Sequence, residues 1–81
     1  MKNNIKLDDG IGMNIAKMRT SAGLSQEQLA AKLQTSGCDI SRGTLAKIEV
    51  GIRHIKIIEL KAIVKVLQTT YEFLIDGENS K

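Results

Sequence analysis

Five stretches of the chain carry apolar residues at helical spacing, each bounded by residue types that start or stop a helix. In the first, Ile11, Ile15 and Met18 fall at i, i+4 and i+7, the stripe of a helix with one buried face. Asp9 can cap it and Gly23 can end it, so a helix is predicted over about 10–22. Ser25 opens the second as a capping residue, with Gln28 three positions on to return the hydrogen bond and Leu24 and Leu29 at the staple positions. Leu29, Ala30 and Leu33 then form its inner side. A third helix, about 42–50, is bounded by Ser41 at its N-cap and Gly51 just past its end. Leu45 and Ile48 point inward, with Ile40 just ahead of the cap. The fourth, about 57–68, is expected to bury Ile57, Leu60, Ile63, Val64 and Leu67, while Ile58, Ala62 and Val66 form a stripe on another face. Thr70 caps a short fifth helix to about Ile75, with Tyr71 and Leu74 inward.

These elements predict an all-α, compact bundle of five short helices, a single domain over 10–75. Residues 1–9 read as a flexible polar arm in which Ile5 or Leu7 can pack back, and 76–81 as a polar tail. Composition agrees with the pattern. Tyr71 and Phe73 are the aromatic residues, so the core must be aliphatic; there is no proline, and the glycines read as helix ends. Eighty-one residues support a modest core and little more.

Charge changes the picture by its distribution rather than by the net +3. Between Lys17 and Lys56 lie seven Lys or Arg against Glu27, Asp39 and Glu49, while Glu72, Asp76 and Glu78 fall in the last ten residues. Positive potential therefore gathers on the segment that holds the second and third helices and their flanks, as on a protein that meets nucleic acid. The third helix has the side chains to match. Opposite Leu45 and Ile48 it carries Arg42, Gly43, Thr44 and Lys47. An arginine can fork onto a guanine edge, and a threonine offers a hydroxyl and a methyl group. Lys2 and Lys6 add a little positive charge to the arm.

Other chemistry finds little support. One His and one Cys cannot supply the usual zinc ligand sets, no nucleophile has a base and an orienting acid, and no phosphate-cradling loop is present. No enzyme, metal, cofactor or small-molecule ligand is expected. A single cysteine excludes an internal disulfide and suits a reducing compartment. Charged residues interrupt every apolar run before it reaches membrane-span length. A soluble, cytoplasmic protein is expected.

The words KMRTSAGLSQEQLAAKL (17–33), ISRGTLAKIEVGIR (40–53) and ELKAIVKVLQTTYEFL (59–74) together resemble the helix-turn-helix domain of the lambda-repressor-like (Cro/repressor, Xre) family, over residues 11–75. The resemblance implies a small transcriptional regulator, repressor-like and autoregulatory, that binds double-stranded DNA with the third helix in the major groove. It places Arg42, Gly43 and Lys47 on base-facing positions, with Ser41 and Thr44 beside them. Gln26 and Arg53 match phosphate contacts, and Ser25, Ser41 and Lys56 stand where they can join them. His54 reads as part of a solvated loop. Arg19 and Glu49 match a structural ion pair; a Glu49 turned inward needs a cation, since an outward carboxylate would repel phosphate. The other reading of the same helices is a protein-interaction module that never touches DNA and uses the surface of the last two.

Two features depart from the family pattern. The turn contains TSGCD (35–39), which reads as an insertion, and Gln34 stands where glycine is usual; Gly37 is expected to supply the positive φ. Cys38 reads as a small packed hydrophobe rather than a redox switch. The surplus apolar residues Ile58, Val66, Phe73 and Ile75 suggest the interface of a two-fold homodimer, centred on Phe73 and Val66 and acting on a palindromic operator.

Overall fold

All five helices form in the expected order in the computed structural model, which describes residues 3–77, with side chains from residue 10 onward. They are α1 (Asn3–Ser21), α2 (Gln26–Thr35), α3 (Arg42–Glu49), α4 (Ile57–Leu67) and α5 (Tyr71–Asp76). Their starts follow the capping chemistry. Ser25 Oγ accepts from the Gln28 amide at 3.0 Å while Gln28 Oε1 accepts from the Ser25 amide at 2.8 Å, a complete capping box. Ser41 and Thr70 accept from Thr44 and Phe73 in the same way. Lys56 has no side-chain cap to offer, and Glu59 takes its amide proton instead, at 2.9 Å.

The helix ends share one device. After α2, the Cys38 amide donates to the Leu33 carbonyl at 2.8 Å and the Gly37 amide to the Gln34 carbonyl at 3.1 Å, with Gly37 at φ +101°. This paired pattern satisfies carbonyls that a helix end leaves free. α1 and α3 close likewise around Gly23 and Gly51. At the end of α4 the left-handed position falls to Gln68, at φ 55°. A side chain there meets the following carbonyl, a strain on the order of 1–2 kcal/mol. Gln68→Gly is therefore expected to raise stability by roughly 0.5–1 kcal/mol once glycine's greater unfolded-state freedom is counted. Thermal denaturation followed by circular dichroism checks this, and a lower Tm would contradict it.

α1 begins earlier than the pattern predicts. Asn3 to Asp9 are helical rather than a flexible arm, and Asp9 lies inside the helix instead of capping it. Glycine weakens a helix interior by roughly 0.5–1 kcal/mol relative to alanine, yet Gly10 and Gly12 both keep a negative φ within α1. The expectation that glycines mark helix ends fails at these two and at Gly43, and Gly12 is buried. The proposed packing of Ile5 or Leu7 and the roles of Lys2 and residues 78–81 lie outside what is described.

One core joins the helices. Ile11 and Ile15 of α1 meet Leu29, Ala30 and Leu33 of α2, Ile40 of the connection, Leu45 and Ile48 of α3, Leu60, Ile63 and Leu67 of α4, and Leu74 of α5. Each such side chain contributes about 1.5–3 kcal/mol by leaving water. Asn14 is buried among them and its Nδ2 donates to the Leu74 carbonyl at 2.8 Å, tying α1 to α5. Two expected core residues are outside it. Ile57 is 72% exposed because it opens α4 beyond the reach of its neighbours, and Tyr71 is 44% exposed at the start of α5. Conversely, Val66 and Phe73 are half-buried and pack against the core, so they are not the free centre of an apolar surface. Val66 lines an open groove together with Ala31, Lys32 and Thr35 of α2. Ile58 stays exposed at 70% and Ile75 at 37%.

Candidate nucleic-acid interface

α3 buries Leu45, Ile48 and Glu49 and turns Arg42, Gly43 and Lys47 to solvent. Thr44 is only half-exposed at the margin of this face, and its hydroxyl lies 3.1 Å from that of Ser41 within the cap. Nothing crowds Gly43; a methyl group there would meet only Ser41 Oγ, at 3.9 Å. The face also includes a residue the sequence reading missed. Val50, at i+3 from Lys47 and i+7 from Gly43, is 69% exposed. It is the C-cap of α3, and helical arithmetic carried one residue past the helix finds it.

Both ends of α2 fix the placement of α3. At its C-terminal side, Gln34 Nε2 donates to the Ile40 carbonyl at 2.8 Å, one residue before the α3 cap. The glutamine that replaces the family glycine therefore holds the longer turn instead of loosening it. Cys38 packs against the core in this turn. Burial, followed by the charges of Glu59 and Asp39, pushes its thiol up, so the thiolate needed for redox chemistry is disfavoured.

At the other end, Glu49 is the joint of three helices. Its Oε2 accepts from Arg19 Nε at 2.7 Å, and its Oε1 accepts from Arg19 Nη2 at 3.1 Å and from Gln26 Nε2 at 2.9 Å. The Arg19 and Glu49 side chains are 13% and 4% exposed, and Arg19 Nη1 also donates to the Leu24 carbonyl at 2.7 Å. The expected ion pair is present. Gln26 departs from expectation, because its side-chain amide turns inward to Glu49 rather than outward. α1 approaches the same end so closely that Gly12 has backbone for a neighbour: a Cβ there would sit 2.1 Å from the Ile48 carbonyl oxygen.

Beyond α3, Arg53 is likewise engaged. Its Nη1 and Nη2 donate to the two carboxylate oxygens of Glu59, each at 3.0 Å, and Nη1 donates to the His54 carbonyl at 2.9 Å. Glu59 is buried. Burial alone would push its carboxyl up, but the hydrogen bonds from Arg53 and the Lys56 amide, with the charges of Arg53 and Lys56, outweigh it and hold the group below its usual range. The bond to Glu59 raises Arg53 in turn. No local pattern in the sequence marks Glu59; only the folded contact shows its partner. Ser25, Ser41 and Lys56 are exposed around this face.

A helix fastened at both ends, joined to its predecessor by a turn and presenting Arg42 and Lys47 outward, has the form of a DNA-binding helix-turn-helix. The family model described as "Helix-turn-helix" matches residues 15–74. The chain belongs to that family, in its Cro/repressor, Xre-like group, and is a DNA-binding domain of transcription-regulator type. No curated protein matches it.

Proposed function

We propose that the protein is a sequence-specific, repressor-like regulator that inserts α3 into the major groove of an operator and works in the cytoplasm. One observation carries most of the weight. Of the three arginines, Arg19 and Arg53 are bound to buried glutamates, whereas Arg42 has no acidic partner among the described residues. An unneutralised guanidinium at the start of an exposed helix suits a guanine edge. Lys47 lies on the same face, Gly43 lets backbone approach a base closely, and Thr44 and Val50 offer methyl groups to thymine. Around them the opening turns of α2 and α3 present backbone amides to phosphate, that of Gln26 included although its side chain is held by Glu49, with the hydroxyls of Ser25 and Ser41 beside them, and Arg53 and Lys56 add charge.

A gel-shift on the DNA upstream of the protein's own gene tests binding and autoregulation together. Arg42→Ala is expected to cost about 1–3 kcal/mol at the operator and to relax preference at one base position. An equal loss on random DNA would remove Arg42 from base reading.

One domain reads too few base pairs to select a promoter among roughly 10⁶ or more competing sites. A two-fold dimer on a palindrome supplies the missing selectivity, with half-sites about 34–36 Å apart. Ile58 and Ile75 are exposed on the last two helices beside the equally exposed Ile57 and Tyr71, with the half-buried Val66 and Phe73 behind them. Ile58→Glu tests this better than a charge at Phe73, which would also disturb the core. It is expected to leave a folded monomer in sedimentation and to weaken operator binding; unchanged mass and affinity would move the interface elsewhere.

A further inference from the structure

Arg53 has more donors than its observed bonds use. A guanidinium carries five N–H groups in a fixed plane. Glu59 takes one from each Nη, end-on, and the His54 carbonyl takes the second of Nη1. What remains is Nε–H and the second Nη2–H, which run parallel along one edge of the plane. That edge is a two-donor fork, the shape that matches two oxygens of a phosphate. The side chain is 31% exposed while Glu59 is 9% exposed, so the pair has a wet side and a dry side. Glu59 in turn is fixed on α4 and also holds the Lys56 amide, which ties the segment after α3 to the helix that follows.

We infer that Glu59 is a positioning residue for DNA binding: it clamps the end of the Arg53 guanidinium so that the free Nε/Nη2 edge is held ready for a backbone phosphate. This rests on the DNA-binding reading and assigns a role inside it. Arginine 53 is thus a contact that keeps its glutamate, rather than one that must release it to reach DNA. The groups around Glu59 are consistent with a carboxylate that stays charged: Arg53 and the Lys56 amide bond to it, and the nearby Cys38 thiol is uncharged.

The sign of one substitution separates this from simple charge. Removing a negative charge from a protein that binds DNA should tighten binding through the field alone. Glu59→Gln is expected to do the opposite. On a mixed-sequence duplex longer than two helical turns, its affinity should fall, and the slope of log K against log salt should shrink by about one, as for Arg53→Ala. In an Arg53→Ala background, where only the field effect is left, the same change should no longer weaken binding. Circular dichroism establishes that each variant is folded at the assay temperature. Arg53→Lys provides a second arm that leaves Glu59 in place: it keeps the charge but lacks the fork, and should also bind more weakly than the parent. Tighter binding by Glu59→Gln, or parent-like binding by Arg53→Lys, would overturn the inference while leaving DNA binding intact. Failure of the parent protein itself to bind the duplex at low salt would overturn the DNA-binding reading, and this inference with it.

Discussion

Arg19→Met is expected to destabilise the fold by about 3–5 kcal/mol, the usual cost of leaving one member of a buried ion pair behind. Methionine keeps much of the volume but withdraws three hydrogen bonds, two to Glu49 and one to the Leu24 carbonyl. Glu49 would retain only Gln26 as a side-chain donor. A domain of 81 residues has a total stability on the order of 4–12 kcal/mol, so the variant should lose a large fraction of it. Adding Glu49→Gln should restore part of the loss, because an amide is far cheaper to bury than a carboxylate without its cation. Urea unfolding of the two variants measures both numbers. A loss below about 1 kcal/mol for Arg19→Met would mean that water reaches Glu49 and that the pair behaves like a surface bridge.

Gly12→Ala should be the most damaging small substitution in the chain. On helix propensity alone alanine gains about 1 kcal/mol over glycine. Here its Cβ would fall 2.1 Å from the Ile48 carbonyl oxygen and 3.0 Å from that of Glu49. Both atoms are backbone, so no rotamer relieves the clash and α1 must separate from the end of α3. Overpacking of this kind costs about 1–3 kcal/mol or more, and the displaced end is that of the helix proposed to enter the groove. Gly10→Ala is the control, since its nearest neighbour would be Asn14 Nδ2 at 4.0 Å. It should be neutral or stabilising. Equal melting curves for the two variants would show that α1 and α3 are not in contact at Gly12.

The legible parts of the molecule are those written in local chemistry. Ser25 with Gln28, Ser41 before Thr44 and Thr70 before Phe73 each place a hydroxyl three residues from the amide it caps, and such signals survive whatever the rest of the chain does. Leu29, Leu33, Leu45 and Ile48 repeat at helical spacing and are buried as expected. The front of α3 follows from its back, because on a single turn the side chains that are not buried must face out. Arg19 and Glu49 were found by family likeness, not by their spacing.

What the sequence determined by itself is therefore the order of helices, the caps of α2, α3 and α5, most of the core stripes and the outward placement of Arg42, Gly43 and Lys47. The tertiary structure alone decided which helix covers which. That is why Val66 and Phe73 sank into the core while Ile57 stayed in water, and why Gln26 turned to Glu49. It also decided the pairs formed across distance: Asn14 with the end of α5 and the backbone contact at Gly12. Arg53 and Glu59 are only six residues apart, yet a bend lies between them, and no periodicity crosses a bend. The physical reason is the same in each case. Periodicity records which side of a helix is dry, but two helices can meet at many angles and offsets, and only the packed arrangement makes a glycine necessary or gives a buried glutamate its arginine.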